Sequence, residues 1–253
     1  MGGLYERNWT SIIHGKTHLK EKEQMLPTLL KVKELGYSTV QVYGNLELSE
    51  KMGLAALKAG LKVIGTTGNY KEFFENPEKT MEVHRRLGAT NIGTGGTSFA
   101  NAEELYKFIE DANNFAKFVT KEGFTFSYHN HSHEFEKIDG KVVYEELTRL
   151  TDKENINFVF DTYWAQNAGA DVRYWIERLK NRIEILHLKD MKRIDGKSVF
   201  AEIGEGNLWW DGIIETAKQS GVTHFVVEQD ECDCDPIESI EISSKYLHNK
   251  FFK

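Results

Sequence analysis

The chain has 253 residues, of which 40% are hydrophobic and 28% are charged, and its net charge is −7. This composition is typical of a globular protein, and the acidic balance argues against the basic surface that nucleic-acid binding requires. No apolar run is long enough to cross a membrane, and residues 1–10 lack the apolar core of a signal peptide. We therefore expect a cytoplasmic protein without nucleic-acid or membrane partners, and a homo-oligomer remains open.

Short β-rich runs alternate with stretches of helical periodicity along the chain. The predicted strands are 9–14, 38–44, 61–69, 91–96, a run beginning at 124, 156–161, 183–190 and 223–230. The predicted helices are 21–35, 47–59, 77–87, 101–121, 143–150, one ending at 179, 209–220 and 236–249. Eight such units favour a single (β/α)8 TIM barrel over residues 1–253. An open doubly wound sheet is the structural alternative, but no GxGxxG follows the first strand to support it.

The segment 124–134, FTFSYHNHSHE, concentrates groups that can bind a metal. It begins with strand alternation and then places three imidazoles and a carboxylate within six positions, at His129, His131, His133 and Glu134. On a continuing strand the three histidines would share one face. A solvated polar loop that is rich in histidine is the alternative interpretation.

Three later strands also end in polar side chains. These side chains are Asp161 after the sixth strand, His187, Lys189 and Asp190 after the seventh, and Glu228 and Asp230 after the eighth. One aspartate at a strand end is typically a cap, but four consecutive strands that share a rim indicate an active site, which barrels build at this end. Histidine and carboxylate ligands suit a divalent ion such as Mn, Co, Zn or Mg. Such an ion polarises a carbonyl or hydroxyl oxygen, and a neighbouring base then moves the proton.

Five segments form a combined signature. They are YHNHSHEF (128–135), FVFDTYWAQNAGAD (158–171), RIEILHLKD (182–190), EIGEGNLWW (202–210) and VVEQD (226–230). Together they resemble the sugar phosphate isomerase/epimerase family, which has the xylose isomerase-like barrel and includes inosose dehydratases and ketose 3-epimerases. The resemblance implies a metal-dependent enzyme that isomerises or epimerises a sugar or sugar phosphate.

The resemblance also implies a metal site of two glutamates, one aspartate and one histidine. The residues that match it are Asp161, His187 and Glu228, with Glu134 favoured as the remaining glutamate. Many relatives end the fifth strand with a glutamate where this chain has His129, so Glu134 would have to reach the metal from the following loop. Direct ligation by His129 or His131 is the alternative.

In ketose epimerases of this family, two glutamates of the metal site act as acid and base across an enediolate. Glu134 and Glu228 would take these roles, with His131 as a third proton carrier or a ligand of a substrate hydroxyl. The expected substrate contacts are His129, Lys189 for a developing oxyanion, and Trp164 as a flat apolar wall. For the last two, capping of the strand-seven loop and ordinary packing are the alternatives.

Some features depart from the family pattern or admit other functions. The third strand ends in Thr66-Thr67-Gly68-Asn69, where relatives often have a histidine. The segment Glu231-Cys232-Asp233-Cys234-Asp235 after the eighth strand is either a second metal locus or, as favoured, a polar loop. A lyase that removes water from a keto-inositol or 3-keto sugar would begin with the same proton removal. An apurinic endonuclease shares this barrel but needs more metal ligands and a basic DNA groove. A sugar-binding barrel without activity is the remaining alternative.

Overall fold

The computed structural model of the protein describes residues 9–13 and 22–252. Eight parallel strands close into a barrel in the order β1-β8-β7-β6-β5-β4-β3-β2. They are β1 (Trp9–Ile13), β2 (Thr39–Tyr43), β3 (Lys62–Gly68), β4 (Asn91–Gly95), β5 (Thr125–His129), β6 (Ile156–Asp161), β7 (Ile183–Leu188) and β8 (His224–Gln229). The predicted (β/α)8 barrel is confirmed. His14, which the sequence predicts as the last residue of the first strand, lies outside the described residues.

Helices surround the barrel. They are α1 (Lys22–Glu34), α2 (Leu46–Lys58), α3 (Tyr70–Glu75), α4 (Pro77–Leu87), α5 (Ala102–Thr120), α6 (Val143–Leu150), α7 (Thr162–Asn167), α8 (Val172–Arg178), α9 (Trp210–Gln219) and α10 (Pro236–Lys250). The single helix predicted to end at residue 179 is instead two, α7 and α8, separated by a turn in which Gly169 has a φ of 79°. Helix α3 was not predicted, although Asn69 caps it by accepting from the backbone N–H of Lys71. None of the helices between residues 22 and 252 has the length and apolar character to span a membrane.

The core lies between the strands and the inner faces of the helices. Helix α5 illustrates the packing, because its buried residues recur every three or four positions: Leu105, Phe108, Ile109, Ala112, Phe115, Ala116 and Val119. Phe115 meets Phe126 of β5 at a ring-centroid distance of 5.3 Å, edge to face. Each such side chain contributes about 1.5–3 kcal/mol on burial, so this packing between helices and strands stabilises the barrel.

Two short hairpins extend the carboxyl-terminal rim. The first has its turn at Asp139-Gly140 and pairs Lys137–Ile138 with Lys141–Val142. A second hairpin, which was not predicted, follows β7 and pairs Asp190–Ile194 with Lys197–Ala201. In both hairpins an Asp-Gly pair with positive φ at both residues forms the turn, which matches the right-handed twist of the flanking strands.

Candidate metal centre

The barrel brings four metal-capable side chains together from four adjacent strands. His129 ends β5, Asp161 ends β6, His187 lies near the end of β7, and Glu228 lies near the end of β8. One ligand atom from each lies within 4.8 Å of the others, and all four residues are buried. Asp161 and His187 are direct partners in the β6–β7 register, so the clustering follows from strand alignment.

The donor atoms of the cluster suit a bound cation. His129 Nδ1 and Asp161 Oδ2 are buried and have no hydrogen-bond partner. His187 Nδ1 lies 2.7 Å from Glu228 Oε2 and 3.8 Å from Asp161 Oδ2. Buried polar atoms without partners cost free energy, and two imidazoles with two carboxylates are a suitable donor set for a divalent transition-metal ion. The residues present therefore fit such an ion.

The electrostatics of the cluster favour the same conclusion. Burial lowers the pKa of His129 well below its usual range, and the neighbouring His187 and His131 lower it further. His129 is therefore neutral, which is the ligating form of imidazole. Burial raises the pKa of Asp161 well above its usual range, against the opposing effect of Lys189. A bound cation would relieve this penalty by stabilising the carboxylate form.

Glu134, the favoured fifth-strand ligand from the sequence, is not part of the cluster. It lies in the short 3-10 helix His133–Phe135. Its fully buried carboxylate accepts hydrogen bonds from the Tyr128 hydroxyl and the backbone N–H of His131, both at 2.8 Å. Strand β5 stops at His129, and the chain then turns. Glu134 therefore anchors the following loop, whereas His129, which the sequence offered as an alternative ligand, belongs to the cluster.

A cavity of about 590 Å³ opens over the metal-capable cluster, which is in the size range of small-molecule sites. Its wall includes the ends of β3 and β4 and the residues His129, His131, His187, Glu228 and Asp230. His131 is half-buried, its Nδ1 has no hydrogen-bond partner, and its ring centroid lies 4.8 Å from that of His129. Burial lowers the pKa of His131 to about 4, so the imidazole is an uncharged base near neutral pH.

Lys189 and Trp164 lie beside this cluster and not on the wall of the cavity in the described part of the chain. The Lys189 ammonium is fully buried and pairs with Asp230, and it lies 3.7 Å from a Glu228 oxygen. Burial lowers its pKa, but the surrounding carboxylates outweigh this effect and raise the pKa above its usual value. Lys189 is therefore a permanent positive charge, and the Trp164 ring lies 4.9 Å from its Nζ.

Asp190 joins the HLKD motif (187–190) to the GEG segment (204–206). This fully buried carboxylate accepts five hydrogen bonds, from the backbone N–H groups of Met191, Gly204, Gly206 and Leu208 and from the Trp210 indole. At Gly206 a Cβ would lie 2.2 Å from an Asp190 oxygen, so only glycine allows this approach. The motif thus fixes the loop between β7 and α9.

We expect Asp190→Ala to lower the free energy of unfolding by about 3–5 kcal/mol, because it leaves buried donors without their acceptor. Asp211→Ala is the matched control, since Asp211 is exposed and pairs only with Lys250 among the described contacts. That variant should lose less than about 1 kcal/mol. Urea unfolding followed by circular dichroism measures both values, and equal losses would contradict the role given to Asp190.

One buried residue of the centre was missed from the sequence. Gln41 of β2 is 2% exposed, and its Oε1 lies 2.9 Å from His187 Nε2. The available signal is a glutamine within TVQVY, a strand whose five residues are all buried. A buried amide in such a strand needs hydrogen-bond partners, but the sequence does not identify them.

Comparisons with known proteins agree with the fold. The family model for the xylose isomerase-like TIM barrel matches residues 29–250. An inosose dehydratase of Mesomycoplasma hyopneumoniae (strain 7448) is 31% identical over 91 residues, which is 36% of this chain and only 30% of that protein. A sugar phosphate isomerase/epimerase from Parabacteroides distasonis ATCC 8503 has a similar crystal structure, with a TM-score of 0.80, 21% identity, and coverage of 97% of this chain and 95% of the other. The crystal structure of the IolI protein with a bound zinc atom has a TM-score of 0.70, 12% identity, and coverage of 96% and 97%. The chain belongs to the xylose isomerase-like TIM barrel family.

Proposed function

We propose that the protein is a divalent-metal-dependent isomerase or epimerase of a sugar or sugar phosphate, which moves a proton next to a carbonyl group through an enediolate. One observation carries this proposal. Two groups able to exchange protons, Glu228 and His131, lie on the wall of one cavity together with the metal-capable side chains of His129 and His187.

Successive close contacts link the two proposed proton carriers in a row. Glu228 Oε2 lies 2.7 Å from His187 Nδ1, the rings of His187 and His129 are 4.6 Å apart, and the rings of His129 and His131 are 4.8 Å apart. A sugar bound in the cavity over this row could contact both proposed carriers. Isomerisation and epimerisation need such a pair, because a proton leaves one position and returns at another position or on another face.

We assign the proposed metal ligands as His129, Asp161, His187 and Glu228. A divalent ion bound there would polarise a substrate oxygen and lower the pKa of the neighbouring C–H group. The zinc atom in the IolI structure supports a metal in this family of barrels. The assignment replaces Glu134 by His129, because the Glu134 carboxylate is already occupied by the Tyr128 hydroxyl and the His131 N–H.

The proposed proton steps use His131, Glu228 and exchange with water. Neutral His131 accepts a proton from the carbon next to the carbonyl, and the protonated Glu228 carboxyl donates a proton to the substrate, or the two act in the reverse order. Proton exchange with water in the cavity then returns His131 and Glu228 to their starting forms, so no proton is consumed and no redox partner is needed. Lys189 supplies the positive charge that balances Asp230 and the neighbouring carboxylates, and Trp164 packs against His131 at a ring distance of 5.3 Å.

Dehydration of a keto-inositol or 3-keto sugar is the second candidate. The specific observation in its favour is that a relative with 31% identity is an inosose dehydratase, although the match spans less than a third of that protein. Both reactions begin with removal of a proton next to a carbonyl. They differ in whether a hydroxyl group leaves afterwards.

Incubation of the metal-loaded protein with candidate keto sugars in D2O tests the proposal. We expect the substrate or its isomer to gain deuterium without losing the mass of a water molecule, as measured by mass spectrometry. An unsaturated product would instead support the dehydratase. Protein treated with a chelator is the control and should give neither result. Absence of exchange and of elimination with every keto sugar and every loaded metal would contradict both candidates.

A further inference from the structure

We propose that Gln41 fixes the ring hydrogen of His187 on Nε2 and thereby makes Nδ1 the nitrogen that binds the metal. The inference rests on the metal site of the proposed function and adds a positioning residue to it. Gln41 belongs to β2, and 146 residues separate it from His187, so only closure of the barrel brings the two side chains together.

The orientation of the Gln41 amide follows from its surroundings. Its Nε2 atom lies 2.9 Å from Thr67 Oγ1 and 3.4 Å from the carbonyl oxygen of Thr66. A carbonyl oxygen only accepts hydrogen bonds, so the amide nitrogen and not the amide oxygen must face it. The opposite orientation would place two oxygens against each other in a buried site. Gln41 Oε1 is therefore the atom that faces His187.

Room for this arrangement comes from the neighbouring strand β4. At Gly93 a Cβ would lie 2.4 Å from the Thr66 carbonyl oxygen and 3.5 Å from Gln41 Nε2. A side chain at that position would displace the acceptor and crowd the amide. The glycine thus keeps open the space in which the Gln41 amide is held.

The tautomer of His187 follows from this orientation. Gln41 Oε1 carries no hydrogen, and it lies 2.9 Å from His187 Nε2, so the Nε2–H group must donate to it. In a neutral imidazole the other nitrogen, Nδ1, then carries the lone pair. A second group that fixes the tautomer and orientation of a ligating histidine is a usual contributor to metal affinity.

The surroundings of Nδ1 agree with a ligating role. This atom lies 2.7 Å from Glu228 Oε2 and 3.8 Å from Asp161 Oδ2. A nitrogen lone pair that close to carboxylate oxygens is placed to share a divalent cation with them. Gln41 leaves only Nδ1 available for that role.

Zinc affinity of purified variants tests the inference, measured by competition with a chromophoric chelator. Gln41→Met keeps the approximate length of the side chain but removes the acceptor, and we expect affinity to fall by about 10–100-fold. Gln41→Glu retains an acceptor for the Nε2–H group, but its second oxygen would face the Thr66 carbonyl oxygen, so its zinc affinity should lie between those of wild type and Gln41→Met. In the zinc-loaded protein, ¹⁵N NMR of the histidine rings should show a protonated Nε2 at His187 in wild type and in Gln41→Glu.

Two adjacent threonines provide a matched pair of controls. Thr67→Val removes the hydroxyl that holds the Gln41 amide and should weaken zinc binding. Thr66→Val makes the same chemical change one residue earlier, where the hydroxyl contacts His84 Nε2 at 2.9 Å instead. The Thr66 carbonyl oxygen is retained, so zinc affinity should stay at the wild-type value.

The outcomes separate the inference from the function on which it rests. If wild type binds zinc and Gln41→Met binds it equally tightly, the inference is wrong while the metal site stands. An Nε2-bound zinc at His187 in the NMR spectrum would also overturn it. If wild type binds no zinc or other divalent ion, the proposed function fails and the inference fails with it.

Discussion

Replacing His129 with alanine should remove the metal from the protein, whereas replacing Glu134 with glutamine should leave it bound. His129 contributes one of the four ligand atoms that lie within 4.8 Å of one another, and its Nδ1 has no other partner. Loss of a direct ligand should lower the affinity by more than the roughly 100-fold that loss of a supporting group can cost. Glu134 accepts from Tyr128 and from the His131 backbone, so its replacement changes the loop and leaves the ligand atoms in place.

Elemental analysis after identical metal loading and gel filtration measures this difference. His187→Ala is the positive control for metal loss, because His187 belongs to the four-residue cluster. Circular dichroism of each variant separates loss of the site from loss of the fold. Metal that persists in His129→Ala but disappears from Glu134→Gln would return the fifth-strand ligand to Glu134 and would require a different course of the chain after β5.

Much of the fold could be predicted because the apolar periodicity and the residues at helix ends indicate the same elements. Short apolar runs alternate with amphipathic helices, and glycines such as Gly36, Gly60 and Gly88 follow helix ends with positive φ. The hairpin Asp190–Ile194 with Lys197–Ala201 was missed because its residues continue directly from β7. Its turn, Asp195-Gly196, carries a local hairpin signal, but the polar residues around it also suit a loop.

The candidate site was predictable where strands determine it. Asp161, His187 and Glu228 lie on strands whose ends the apolar runs locate, so their convergence follows from parallel register. The fifth strand was different, because alternation predicts a common face only while the strand continues. The strand ends at His129, and Glu134 lies in the loop beyond it, outside the four-residue cluster. Gln41 could not be assigned, since its partner lies across the closed barrel.

The largest catalytic effect is expected at His131. The variant His131→Phe keeps a flat ring against Trp164, which lies 5.3 Å away, but it removes both ring nitrogens, including the unpartnered Nδ1. Because a positioned acid or base typically contributes about 10²–10⁴-fold, kcat should fall by this factor while metal content stays at the wild-type level. Deuterium exchange into a substrate identified by the D2O screen gives the rate.

His133→Phe is the matched control for this prediction. Its side chain is 38% exposed, contacts Glu134 at 3.3 Å, and is not on the described cavity wall, so exchange should fall by less than about tenfold. The pH dependence adds a second check, since the pKa of His131 is about 4. The neutral base is present above that value, so its contribution should be constant from pH 8 to about 6 and decline only as the pH falls towards 4. If His131→Phe and His133→Phe exchange deuterium at the same rate, the second proton carrier is not His131, and the row from Glu228 to His131 no longer explains the chemistry.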